Sequence, residues 1–178
     1  ATGAVGANRL GLLTVTDAND VDFQSTVDVQ GIASTSDTFS SGVIDSTTNG
    51  VTITATDTGN PANVITLAGL DSTDQNIVLE TAGGEIDLNG AVTAGSGGAA
   101  LTIRGIAVDD GIGIGSAATD AVDTLTLDDV SVGNIGTGFD GNITFGQAGQ
   151  TAGIEFNGAG NSFDEPIVIL ASGGADIT

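Results

Sequence analysis

The sequence predicts an all-β chain built as a β-solenoid, and three observations predict it. Short apolar–polar–apolar runs recur along the 178 residues, turn-forming residues bound them, and several segments repeat. Alternating apolar positions give a strand one face for a core, while Gly, Asn, Asp and Ser at its ends accept turn geometry. Thirteen such runs are legible, at 12–16, 21–23, 27–29, 51–54, 64–67, 77–79, 85–88, 100–103, 125–127, 130–132, 143–145, 154–156 and 167–170. No stretch carries the 3.6-residue apolar stripe of a helix.

The strands are short and the turns between them are tight. A β-sandwich of this length would show about seven longer strands and an aromatic core, and here only six Phe are present. Stacked coils lie about 4.8 Å apart, so small side chains and brief strands fill them. At about 20 residues per coil the chain makes roughly nine coils along an axis near 40 Å, all in one domain spanning 1–178. A sandwich or jelly-roll subunit, with residues 1–11 inserted into a neighbour as a donor strand, stands as the alternative fold.

Internal echoes support stacking. Ile86-Asp87-Leu88-Asn89-Gly90-Ala91 returns as Ile154-Glu155-Phe156-Asn157-Gly158-Ala159, and Asn63-Val64-Ile65-Thr66-Leu67 resembles Asn142-Ile143-Thr144-Phe145. Ile77-Val78 followed by Gly83-Gly84 is matched by Ile167-Val168 followed by Gly173-Gly174, after which Asp176-Ile177 opens what looks like a further coil. The spacing is uneven through 34–48 and 105–123.

Composition narrows the chemistry. Two basic residues, Arg9 and Arg104, face 23 acidic ones, for a net charge of −21, and the chain has no Lys, His, Cys, Met, Trp or Tyr. A Ser-His-Asp or Cys-His nucleophile, a His/Cys zinc site and a Schiff-base lysine are therefore excluded. Paired carboxylates serve glycosidases, but the absence of Tyr and Trp leaves no aromatic platform for a sugar, and a non-enzymatic role is expected. A surplus of negative charge repels a phosphate backbone, so nucleic acid is not an expected partner. No apolar run approaches the roughly 18 residues of a membrane span, and no membrane insertion is expected. Cysteine-free, aspartate-rich composition fits an extracellular or cell-surface setting.

The segment Leu12-Leu13-Thr14-Val15-Thr16-Asp17-Ala18-Asn19-Asp20-Val21-Asp22-Phe23 resembles the strand–turn–strand unit of large bacterial exoproteins of the filamentous haemagglutinin and autotransporter-passenger type. Gly84-Glu85-Ile86-Asp87-Leu88-Asn89-Gly90-Ala91-Val92-Thr93 and Asn142-Ile143-Thr144-Phe145 are similar to it as well. The resemblance implies a right-handed parallel β-helix on a cell surface, acting as stalk, adhesin or filament. It brings no catalytic residues with it.

Calcium takes six to eight oxygens, which Asp-rich turns supply. The candidate ligands are Asp17, Asn19, Asp20 and Asp22, together with Asp109 and Asp110 and with Asp128 and Asp129. A solvated acidic surface is the alternative for each cluster. Arg9 and Arg104 are candidate ion-pair partners that would fix register between coils or subunits. Asn142 heads an Asn-Ile-Thr glycosylation sequon. Threonine pairs such as Thr14/Thr16 and Thr52/Thr54 suit exposed strand faces. Ala1, Val5, Leu10 and Ile177 are candidate terminal strand edges for assembly, because an uncapped edge invites another strand. The expected function is a structural segment of a surface filament, sheath or stalk that pairs head to tail with itself or with flanking repeats of its own chain. An adhesin or carbohydrate-binding module is the alternative.

Overall fold

The computed structural model describes residues 5–58, 63–95, 97–115, 124–157, 162–172 and 176–177, with side chains throughout except at 5–8 and 63. The described residues are all-β apart from one short helix, in the order β1 (Val5–Phe23), β2 (Val27–Ser46), β3 (Val51–Ala55), β4 (Asn63–Asp71), β5 (Ile77–Thr81), β6 (Gly84–Leu88) and β7 (Val92–Thr93). There follow β8 (Leu101–Gly105), β9 (Gly111–Ile114), β10 (Thr124–Leu127), α1 (Asp129–Gly133), β11 (Ile143–Gly146), β12 (Ile154–Phe156) and β13 (Ile167–Leu170). The thirteen strands form one curled, solenoid-like sheet, and every pairing among the described strands is parallel. A Greek-key sandwich or jelly roll pairs its strands antiparallel, so the alternative fold is not what the chain adopts.

The register resolves the sheet into columns. In the first, Leu13, Ile32, Val51, Ile77, Leu101, Ile143 and Ile167 stack one above another. Two residues on, Val15, Ser34, Ile53, Leu79, Ile103, Phe145 and Ile169 repeat the stack. Strands β3, β5 and β8 alternate buried and half-buried residues, as strands must when one face meets a core. A second column runs from Phe39 through Ile65 to Ile86, and a third from Ile44 through Leu70 to Val92 and Ile135. The inward side chains make one aliphatic cluster from Val21 to Ile154, joined by the buried rings of Phe39, Phe139 and Phe145.

Steps along the first column are uneven, at 19, 19, 26, 24, 42 and 24 residues between the stacked positions from Leu13 to Ile167. A coil of about 20 residues therefore holds for the first two steps, the expected unevenness through 105–123 falls in the longest one, and the stretch 34–48 lies within a regular step. Where successive turns of chain match in length, backbone pairing carries on around the corner. This explains the 20-residue β2, which absorbs the irregular stretch 34–46 as strand. Beyond β8 the order is broken: β10 pairs with both β6 and β9, and β9 pairs with β12, so β10 lies beneath a strand that precedes it in sequence.

The run 130–132 is helical rather than extended. Asp128 caps α1, its Oδ1 accepting from the Ser131 N–H at 2.7 Å, and Val132 turns inward while Val130 is 62% exposed. A three-residue apolar–polar–apolar run fits a strand, but the N-cap decides for the helix. Of the internal echoes, 77–78 and 167–168 share the first column in register, whereas 86–88 and 154–156 lie on strands of one stack two residues out of step, Ile154 falling through Ile112 and Leu125 onto Gly84. The echo between 63–67 and 142–145 joins different columns, since β4 belongs to the second and β11 to the first.

Two backbone positions show how tightly the turns are set. Gly138 has φ of 96°, and a Cβ there would sit 1.8 Å from the Ala94 carbonyl oxygen. Asp17 has φ of 52° and falls in the register shift between Val15 and Ala18, where β1 bulges around its first corner.

Truncating the ladder should separate inward from outward positions. Leu79→Ala is expected to lower stability by about 2–5 kcal/mol through its cavity. Thr52→Ala, on the outward side, should stay within about 0.5 kcal/mol. Urea unfolding of the two variants checks the difference.

Candidate functional site

The two arginine side chains are the cationic side chains of the chain, Arg104 bonding to one carboxylate and Arg9 to two on neighbouring strands. Arg104 on β8 lies over Glu80 on β5, which lies over Thr54 on β3. The Arg104 Nε donates to Glu80 Oε1 at 2.5 Å, a second guanidinium nitrogen reaches the same oxygen, and the Thr54 hydroxyl donates to Glu80 Oε2 at 2.8 Å. One half-buried carboxylate therefore ties three successive strands. Arg9 on β1 pairs with Asp28 at 2.5 Å and Asp45 at 3.3 Å, at opposite ends of β2. Both guanidinium groups thus bind between strands of the same chain, as register clamps.

Glu80 was legible in principle. The triplets Ile77-Val78-Leu79 and Leu101-Thr102-Ile103 align, and alignment places Glu80 opposite Arg104. Asp28 and Asp45 carried no such signal, because β1 shifts register between Val5 and Leu10.

The acidic candidates are dispersed. Among the described residues, no three acidic groups gather closely enough to hold a metal ion. Asp20 accepts from the Thr38 hydroxyl at 2.7 Å and Asp22 from the Gln24 amide at 3.2 Å, while Asn19 is exposed and Asp17 occupies the bulge. Asp109 is exposed, whereas Asp110 is buried and its Oδ2 closes a turn by accepting from the Ala107 N–H at 2.7 Å. Asp128 is the helix cap and Asp129 lies in the first helical turn. Asn142 has φ of 91° in the turn before β11, and its carbonyl accepts from Leu101 N at 3.1 Å. The sequon asparagine therefore has a conformational duty of its own.

The assembly candidates lie at the ends of the columns where they are described. Val5 pairs with Val27, Leu10 is 39% exposed, and Ile177 bridges Ile154 while remaining 54% exposed. Ala1 lies outside the described residues. A groove of about 220 Å³ near β9 and β12 is floored by Gly111, Gly113 and Gly153 and rimmed by Thr124, Glu155 and Asp176. Its carbonyls are already engaged, Gly153 accepting from Ile112 and Asp176 from Ile154, and Glu155 accepts from the Asn157 amide at 3.0 Å. No protein-family model, curated protein or solved structure matches the chain.

A double-mutant cycle on Glu80→Gln and Arg104→Met should return a coupling of about 0.5–1 kcal/mol, since Arg104 is partly open to solvent. The coupling should shrink in high salt, as exposed ion pairs are screened. Chemical denaturation of the four proteins at low and high NaCl measures both.

Proposed function

We propose that this chain is a non-enzymatic structural segment of an extracellular filament, sheath or stalk, built as a right-handed parallel β-helix. The single observation that carries this reading is the state of the terminal strands. Leu13 and Val15 at one end of the first column, and Ile167 and Ile169 at the other, continue the same inward ladder beyond the sealed core. None of the four is buried, and Ile167 is 40% exposed. A parallel strand laid on β13 in register would extend the ladder by one more step and bury these side chains. Further coils of the same kind supply such a strand, either from a second copy or along the same polypeptide.

The contact between copies would be heterologous and non-closing, which generates fibres rather than rings. Charge opposes it. A net charge of −21 on a slender body repels its like, and salt or divalent ions relieve the repulsion. Calcium enters this reading as a counter-ion that stiffens the rod and permits assembly.

Because the chain lacks cysteine, Thr14→Cys combined with Val168→Cys reports the register directly. Both positions belong to one outward line, as Thr14 pairs with Ala33 and Val168 with Thr144. Oxidation of the double variant should give a disulfide-linked ladder of multimers on a non-reducing gel, with short rods by negative-stain microscopy. Monomers at every concentration would count against end-to-end assembly. Millimolar calcium should raise the melting midpoint above that in sodium chloride of equal ionic strength. Equal midpoints would remove the divalent ion from the reading.

A further inference from the structure

The charges are not distributed evenly around the curled sheet. On the register-paired segments of the first column only Glu80 and Arg104 are charged, and they neutralise each other, while Asp37 and Asp57 stand at its corner. The central outward line of that column runs through Ala33, Thr52, Val78, Thr102, Thr144 and Val168. All six are half-buried, small or β-branched, and uncharged. The second column instead turns Asp20, Asp22, Glu85, Asp87 and Glu155 to the outside, and the third stacks Asp45 on Asp71.

We infer that this neutral stripe is a lateral docking surface for a second copy of the chain, packed sheet against sheet. Two sheets pack about 10 Å apart, and like charges interact over a Debye length of about 8 Å at physiological salt. Contact through the second column would therefore bring the negative charges of both copies within range of one another. Contact through the first column brings together threonine, alanine and valine, with one balanced ion pair. β-branched side chains are stiff, so little rotamer freedom is lost when they pack. An uncharged polymer would meet any column without repulsion and would gain nothing from charge being kept off one of them. A partner as acidic as the chain itself gains a great deal. The stripe runs alongside the columns rather than at their ends, so it is independent of end-to-end assembly.

Sedimentation velocity of the whole chain at low and high NaCl tests the proposal. The protein should associate as its concentration rises, and more strongly in high salt. Thr52→Glu with Thr102→Glu should abolish that association, whereas Ser40→Glu with Thr66→Glu, which adds the same charge to the second column, should leave it in place. Ile169→Asp, at the end of the first column, should also leave it in place. If the stripe variant loses its β-sheet circular dichroism, Val78→Cys serves instead: a short bismaleimide should link copies through Val78→Cys and not through Thr66→Cys. A protein that stays monomeric at every concentration and salt overturns the inference. So does association that survives the stripe variant, association lost in Ile169→Asp, or failure of the Val78→Cys link. Retention of a monomeric protein on an insoluble neutral polysaccharide would also overturn it and would assign the stripe to that polymer.

Discussion

Parallel stacking in register is the constraint on which everything else in this structure depends. Each strand borrows its hydrogen bonds from the strands above and below, so an inward position must be inward in every layer. The stack Val51, Ile77, Leu101 and Ile143 meets that demand with interchangeable aliphatic side chains of similar size. Close packing leaves little tolerance for a polar or oversized residue at such a position. Polar exceptions are handled in two ways: Thr81, inward in the middle of the column, accepts from the Gly83 N–H, whereas Ser34 and Ser36 face inward beneath β1 with buried hydroxyls that find no protein partner. The first layer of the sheet is accordingly held by a less apolar contact than the layers that follow it.

The same constraint frees the corners. A turn between columns need only return the chain to the next layer, and it does so after any number of residues. The longest step in the first column, from Leu101 to Ile143, accommodates β9, β10 and α1 without disturbing the register of β8 with β11. Acidic residues collect at these corners and on the second and third columns, where Asp17, Asp110 and Asp128 each perform a local conformational task. The aspartate surplus is thereby partly a matter of turn chemistry: Asp accepts backbone N–H groups and tolerates positive φ.

Arg9 and Arg104 acquire their importance from scarcity. In a chain with 23 acidic residues, a guanidinium has many possible partners, and geometry selects among them. Arg104 is matched to Glu80 because adjacent strands place them opposite each other, and Thr54 completes the carboxylate's hydrogen bonds. The pair also erases the charges of the first column, leaving one outward surface of a strongly acidic protein neutral.

Alternation of apolar residues, frequent turn formers and aliphatic composition were enough to establish from sequence an all-β, stacked architecture and the inward residues of most strands. These features are local, with a period of two along the chain, and a reader of the chain sees them directly. Which strand lies on which was not local. The bulge at Asp17, the capped helix after Asp128, the inversion of β9 and β10, and the pairing of Arg9 with Asp28 and Asp45 all depend on how far the chain travels between layers. Corner length is nearly free energetically, so sequence spacing does not encode it. Only the closed register of the tertiary structure decides which carboxylates meet an arginine and which surface is left without charge.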